Sequence, residues 1–164
     1  MGLLETLSQT PLVRWVAESD WGYPIVLTTH ALGMGMVVGI MLMVDLRVLG
    51  FAARMPLPTV RLFFPVAWSG FAVNLVSGTL LFLANYTAFL HNVAFLTKIT
   101  FLILGALSTY FLSRNISSNL LGDPAADSIA IASRRAQVLA AVCIFCWLIA
   151  ITAGRIVGYT SLPE

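Results

Sequence analysis

Charged residues are scarce in this chain. Only 10% of its 164 residues are charged and 59% are hydrophobic, and the mean hydropathy is +0.93, whereas a soluble domain carries roughly 25% charged residues. This scarcity excludes an ordinary soluble domain and predicts an integral membrane protein. The net charge of +2 is small and its basic residues are scattered, which argues against nucleic acid as a partner.

Motifs that carry chemistry are also few. The chain has no glycine-rich phosphate loop, no nucleophile elbow and no paired carboxylates, so the sequence leaves open whether the protein is an enzyme. Its two cysteines, Cys143 and Cys146, lie inside an apolar run. They are predicted to be buried core residues rather than a disulfide, redox or zinc pair. No cationic segment precedes a short apolar stretch with a cleavage site, so we expect no removable signal peptide.

Long apolar runs are what the chain does have. Runs at 23–50, 62–90, 92–113 and 134–160 each satisfy the requirement of roughly 20 residues for a spanning helix. They predict an all-α fold, a four-transmembrane-helix bundle that forms a single integral membrane domain over 1–164. The segments 51–61 and 113–127 are predicted to connect helices. Residues 2–20 are too polar to span and predict a short interfacial helix that begins with Thr10 as N-cap and Pro11 at its first position.

Positive charge predicts the orientation of the bundle. Basic residues flank the first and third connections: Arg47, Arg54, Arg61, Arg114, Arg134 and Arg135. The second connection has none, and the N-terminal segment has only Arg14. Since basic residues in short loops stay on the cytoplasmic side, we expect a multi-pass protein of a bacterial inner membrane with both termini in the periplasm.

The first long helix has two distinct faces. At about 100° per residue, one stripe begins at His30 and continues apolar, through Met34, Val37, Met41, Val44 and Val48. A second stripe of Ala31, Gly35 and Gly39 is small enough to let a neighbouring helix come close. At the far end of the helix, Asp45 and Arg47 predict an interfacial ion pair or a pair of membrane anchors.

The second helix carries a small polar face. Its members recur at helical spacing and are Ala67, Gly70, Asn74, Ser77 and Gly78. Such a face either packs tightly with hydrogen bonds between helices or leaves room for a ligand.

Three basic side chains are predicted to share one layer of the bundle. If the first and third helices begin near Tyr23 and His91, then His30 and Lys98 each lie about 10 Å below that end. Arg155 of the fourth helix falls in nearly the same layer, where no Asp or Glu is available. Unpaired charge in a low-dielectric interior is costly, so an anionic partner is missing. The alternative is that Arg155, and in part Lys98, reach up to the lipid headgroups.

A b-type haem would supply both an iron and two propionates to this layer. His30 is the predicted axial ligand, and His91 or a deprotonated Lys98 would be the second. Lys98 and Arg155 would hold the propionates. Met34 on the His30 stripe and Asn74 on the polar face complete the candidate cofactor site.

Two interpretations compete with haem at this position. His30 could simply hydrogen-bond to a neighbouring helix. Soft ligands near it could instead bind copper(I), but of Met34, Met36, Met41 and Met43 only Met34 and Met41 share the His30 face, and methionine commonly fills helix cores.

Six short motifs spread over the chain together resemble an uncharacterised family of bacterial four-helix membrane proteins. They are Trp21-Gly-Tyr-Pro24, His30 with its glycine-rich helix, Asp45-Leu-Arg-Val-Leu-Gly50, Pro65-Val-Ala-Trp68, Asn92-x-x-Phe95-x-x-Lys98 and Gly154-Arg155-x-x-Gly-Tyr159. The resemblance covers nearly the whole chain and implies the same membrane fold.

A more distant resemblance concerns the histidine on the first helix and the F-x-x-K of a later helix. This pattern is similar to the copper-resistance D proteins and the J-type protoporphyrinogen oxidases, and in the latter a histidine and a lysine are implicated in binding haem b. The resemblance implies that His30 and Lys98 belong to a cofactor site. The other helix motifs of that oxidase are not evident here, so its enzymatic activity is not implied.

The sequence therefore favours a haem b protein of the inner membrane that transfers electrons or acts as a redox subunit. Its expected partners are membrane lipids, a quinone or a periplasmic redox protein, and further copies or a larger membrane complex. The first alternative is a non-catalytic structural or accessory subunit of such a complex. The second is copper or small-solute transport.

Overall fold

A computed structural model describes residues 2–51, 55, 59–60, 62–122 and 133–160. The described residues form seven helices: α1 (Leu3–Ser8), α2 (Pro11–Glu18), α3 (Gly22–Val48), α4 (Phe64–Ala84), α5 (Tyr86–Leu90), α6 (Val93–Gly122) and α7 (Arg134–Thr160). Four of them, α3, α4, α6 and α7, are long and apolar enough to cross a membrane. The predicted all-α, four-helix membrane fold is confirmed.

Two predicted boundaries differ from the structure. The run 62–90 is divided at Asn85, whose backbone (φ −145°, ψ 47°) leaves the helical region and separates α4 from α5. The segment 113–127 is predicted to be a loop, which is wrong for its first part because α6 continues to Gly122. Leu112 and Ile116 are both buried, and their spacing of four residues carries the core-facing stripe past Ser113. Residues 123–127 lie outside the described part of the chain.

The N-terminal segment forms two short helices rather than one. Thr10 is the N-cap of α2 and Pro11 its first residue, as predicted, but the Thr10 hydroxyl donates to the carbonyl of Leu7 instead of capping α2. Val13 and Val16 are buried where α2 packs on α3 and α4. Both N-terminal helices are therefore part of the folded bundle at the end where α3 begins.

The four long helices form an arc in which α3 lies between α4 and α7, and α6 packs along α7. α4 and α6 hardly touch. Most of the buried apolar core lies at one end of the bundle, around Met41, Val44, Val48, Leu112, Ala140, Cys143 and Trp147. We call this end the packed half, and the end that holds His30, Asn74, Gly78, Lys98 and Gly154 the open half.

Helices α3 and α4 approach each other closely at Gly33 of α3 and Gly70 of α4. A Cβ atom on Gly33 would lie 3.0 Å from the backbone N of Asn74 and 3.0 Å from the carbonyl O of Gly70. The sequence predicted close packing at another stripe, Ala31, Gly35 and Gly39. That prediction is wrong within this chain, because nothing lies within 4 Å of a Cβ placed on Gly35 or Gly39. The tight contact uses the neighbouring face of α3, which also carries His30.

The predicted ion pair between Asp45 and Arg47 is also wrong. Two residues of helix rotate the side-chain direction by about 200°, so these side chains leave α3 on opposite sides. Asp45 is fully buried toward α7, while Nε of Arg47 donates to the carbonyl of Met55. Among the described residues, the ion pair found is the exposed one between Arg14 and Glu18 on α2.

Candidate functional site

His30 is held from α4 by a reciprocal pair of hydrogen bonds. Its Nδ1 lies 3.0 Å from the carbonyl O of Asn74, and the Asn74 side-chain amide donates to the carbonyl O of His30 at 3.0 Å. A carbonyl oxygen only accepts, so the proton of the neutral imidazole is on Nδ1. The Ser77 hydroxyl, 3.1 Å from the same nitrogen, already donates to the carbonyl of Val73. Nε2 is therefore left with a free lone pair.

Lys98 of α6 meets that lone pair. Its Nζ lies 3.3 Å from Nε2 of His30, close enough for the amino group to donate to the imidazole. Two positive charges at this distance would repel, which is consistent with a neutral imidazole. The contact joins residues from α3 and α6 that the sequence placed at the same depth. It confirms that the two side chains face the same interior.

A cavity of about 290 Å³ opens beside this pair, in the gap between α4 and α6. Four of the residues that line it are polar: His30, Asn74, Thr79 and Lys98. The others are apolar or glycine: Leu75, Gly78, Phe82, Phe95, Ile99 and Leu102. Leu75 is 54% exposed and Ile99 37% exposed, so the cavity opens sideways, where lipid would surround a spanning bundle. An apolar pocket with a few convergent polar groups is typical of a ligand site.

Stacked aromatic rings border the cavity. The rings of Phe82 and Phe95 are 5.3 Å apart and nearly parallel, at 10°. The ring of Phe89 in α5 also stacks on the ring of Phe95, with a centroid distance of 5.3 Å. Asn92 fixes the start of α6 beneath these rings, because its side-chain oxygen accepts from the backbone N of Phe95 and its amide donates to Thr160 of α7. The Asn92-x-x-Phe95-x-x-Lys98 motif thus combines a helix cap, a wall of the cavity and its basic group.

Two glycines make room for the two central side chains. A Cβ on Gly78 would lie 2.9 Å from Cε1 of His30, and one on Gly154 would lie 3.3 Å from Cδ of Lys98. Any larger residue at Gly78 would push the imidazole away from its present position. Gly78 and Gly154 therefore shape the site without contributing a functional group.

The other sequence candidates do not all converge here. Asn74 is buried and lines the cavity, as predicted. Met34 is half-buried and packs against the apolar core instead. His91, the C-cap of α5, and Arg155 on α7 are exposed, and neither is among the residues that line the cavity. The predicted layer of three basic groups is therefore a contacting pair, His30 and Lys98, with Arg155 directed elsewhere.

Sequence reasoning missed the roles of Ser77, Gly78, Gly154 and the stacked phenylalanines. The signal for Gly78 was available, because it lies one turn from Asn74 on the face already identified. The stacking of Phe82 on Phe95 had no sequence signal, since it depends on how far α4 and α6 are separated.

Among the described residues, no group of three or more His, Cys, Asp or Glu side chains is close enough to hold a metal ion. Cys143 and Cys146 are both buried and free, as predicted. The site thus offers one imidazole, one amine and an apolar slot open to the side.

No family model matches the chain, and the curated proteins and the solved structures likewise contain none that matches it. The family resemblances noted in the sequence therefore stay predictions.

Proposed function

We propose that the protein binds b-type haem at His30 and serves as an electron-transfer protein or redox subunit of a bacterial inner membrane. The observation that carries this proposal is the orientation of the imidazole. Its Nδ1–H is fixed on the carbonyl O of Asn74, and its Nε2 lies 3.3 Å from Nζ of Lys98 where both side chains line the cavity, so haem would bind Nε2 in place of Lys98. A metal-binding histidine usually has its other nitrogen held in this way, because that bond sets both the tautomer and the ring orientation.

The ligand groups of the site, one imidazole and one amine, suit haem better than a metal ion without a porphyrin. A porphyrin brings four nitrogen ligands of its own, so the protein needs to supply only an axial group, and one imidazole is enough. A copper(I) site would need further soft ligands beside His30, and Met34 packs in the core instead. Once displaced from Nε2, Lys98 would pair with a propionate when charged or act as a second ligand when neutral.

The size of the cavity is compatible with part of such a group. At about 290 Å³ it lies just below the range for ligand pockets, roughly 300–1,000 Å³. Its open side between α4 and α6, beside Leu75 and Ile99, leaves space for a larger planar molecule that is partly exposed to lipid. Phe82 and Phe95 keep water from the apolar part, while Asn74 and Ser77 hold the imidazole still.

Haem would supply a one-electron Fe(III)/Fe(II) couple at this position. The membrane-facing opening favours a quinone as one redox partner, and the location near the ends of α3, α6 and α7 favours a periplasmic protein as another. The basic residues at the opposite end, including Arg114, Arg134 and Arg135, support a cytoplasmic location for that end and periplasmic termini.

The visible absorbance spectrum of the protein tests the proposal. The protein is expressed with sufficient haem, purified in mild detergent, and measured oxidised and then reduced. We expect a Soret band that shifts on reduction, and we expect His30→Ala to abolish or shift it. The matched control is His91→Ala, which removes an exposed histidine outside the cavity and should leave the spectrum unchanged. A colourless wild-type protein would contradict haem binding and favour the accessory-subunit alternative.

A further inference from the structure

Asp45 is a carboxyl group buried in the packed half of the bundle, far along α3 from His30. It is 0% exposed, and its neighbours Val44 and Val48 on the same helix are also buried. The side chain faces α7, where the thiol of Cys143 lies beside it. Because protein atoms cover the whole side chain, the carboxyl remains in a low-dielectric interior.

Within the described part of the chain, no positive charge compensates Asp45. Neither carboxyl oxygen has a partner at hydrogen-bond distance and angle among the described residues, and the polar group beside it is the Cys143 thiol, which is only a weak donor. Arg47 lies on the opposite side of α3 and donates to Met55, and no Lys, Arg or His of the described chain forms an ion pair with Asp45. The groups that face it from the packed helices are neutral: Cys143 of α7 and, 3.5 Å beyond the thiol, the hydroxyl of Thr109 of α6. An isolated carboxylate in such surroundings takes up a proton or a cation.

A small cavity adjoins the carboxyl. It measures about 30 Å³, and Asp45 and Trp147 line it together with apolar side chains such as Leu42 and Leu148. This volume is sufficient for one water molecule. The indole Nε1–H of Trp147 is also buried without a partner. A water molecule there could accept from the indole and exchange a hydrogen bond with the acid.

The groups that line this small cavity argue against a metal cation as the ligand of Asp45. A bound cation needs several oxygen ligands around it, whereas this cavity offers one carboxyl group, an N–H donor and methyl groups. A proton needs only the carboxyl oxygen itself, and a neutral acid has both a donor and an acceptor for the neighbouring water.

We propose that Asp45 is a proton-binding site of the membrane-embedded bundle, which holds its proton beside one internal water shared with Trp147. The ligand is a proton, and the site is separate from the His30 cavity. It gives the packed half a group that can gain or lose charge without any large ligand entering.

Infrared spectroscopy of the detergent-purified protein at neutral pH tests this directly. A protonated carboxyl shows a C=O stretching band that an ionised carboxylate lacks. We expect such a band in the wild-type protein, its loss in Asp45→Asn, and its retention in Asp20→Asn, which alters an exposed aspartate on the same chain.

A second measurement does not depend on the folding of a variant. In wild-type protein grown with aspartate labelled with ¹³C in its side-chain carboxyl, the neutral-acid band should shift to lower frequency, which assigns it to aspartate. A labelled wild-type protein that shows only the ionised carboxylate band at neutral pH would overturn the proposal, as would a neutral-acid band that persists in folded Asp45→Asn.

Discussion

Among the described residues, the buried polar groups are hydrogen-bonded to one another in the open half of the bundle, whereas some of those in the packed half are unpaired. In the open half, His30, Asn74 and Ser77 satisfy one another across α3 and α4, and Lys98 completes the set from α6. In the packed half, the carboxyl of Asp45 and the indole N–H of Trp147 are buried without partners. In the first arrangement, the hydrogen bonds fix the orientation of the His30 imidazole beside a cavity. In the second, the polar groups lie in the packed core beside a much smaller cavity.

This difference follows from how the helices separate. α4 and α6 hardly touch, and the gap between them in the open half is a cavity of about 290 Å³, whereas the gap beside Asp45 is about 30 Å³. A cavity open to lipid can accept a sizeable ligand. The smaller cavity has room for no more than about one water molecule.

The largest loss in the free energy of unfolding is expected when a cavity is made in the packed half. Trp147 is only 3% exposed and its ring also fills the space beside Gly105. Truncation by Trp147→Ala should lower the free energy of unfolding by about 3–5 kcal/mol, because it leaves a large cavity in a close-packed region. Chemical unfolding in detergent, followed by circular dichroism, measures the change. Leu75→Ala in the wall of the open half should have a much smaller effect, and equal losses would remove the distinction between the halves.

A smaller effect is expected where α3 and α4 meet beside His30. Gly33→Ala places a Cβ 3.0 Å from the backbone of α4, which cannot move as a side chain could. It should lower the free energy of unfolding by about 1–3 kcal/mol. Gly35→Ala is the matched control on the same helix, since open space surrounds that position, and its effect should stay within about 0.5 kcal/mol. The two variants can be compared by the same unfolding measurement, and a larger loss in Gly35→Ala would contradict the observed packing.

The smallest effect concerns the charge of the open half and rests on haem binding. Lys98→Met keeps an apolar stem beside Gly154 but removes the positive charge near the iron. Because that charge favours the reduced form, the midpoint potential should fall by about 60 mV, a tenfold change in a one-electron equilibrium. A redox titration followed by absorbance measures it. Arg155→Gln should leave the potential unchanged, and an equal fall in both variants would restore Arg155 to the site.

The spacing of apolar residues was enough to predict the four long helices and the buried stripe of Val37, Met41, Val44 and Val48. Depth along the helices was enough to predict that His30 and Lys98 lie at the same level, and the structure adds that the two side chains are in contact. Depth does not fix rotation about a helix axis, which is why Arg155 was placed in the site although Gly154 is the residue of α7 that faces Lys98.

Asp45 shows a different limit of the sequence. Its position near a helix end suggested an interfacial anchor. Its spacing of four residues from Met41 and three from Val48 places it on the buried stripe, and that signal was present in the sequence. The sequence could not predict that the Asp45 carboxyl lacks a charged partner among the described residues. This depends on which side chains α6 and α7 place beside it.

The reciprocal bonds between His30 and Asn74 make the imidazole a reporter of helix register. Sliding α4 along α3 by one residue would displace it by about 1.5 Å and turn its side chains by about 100°, so both bonds would break together. A movement of α4 that started elsewhere, at a partner or in the lipid, would therefore turn the ring of His30 and change what Nε2 presents to the cavity.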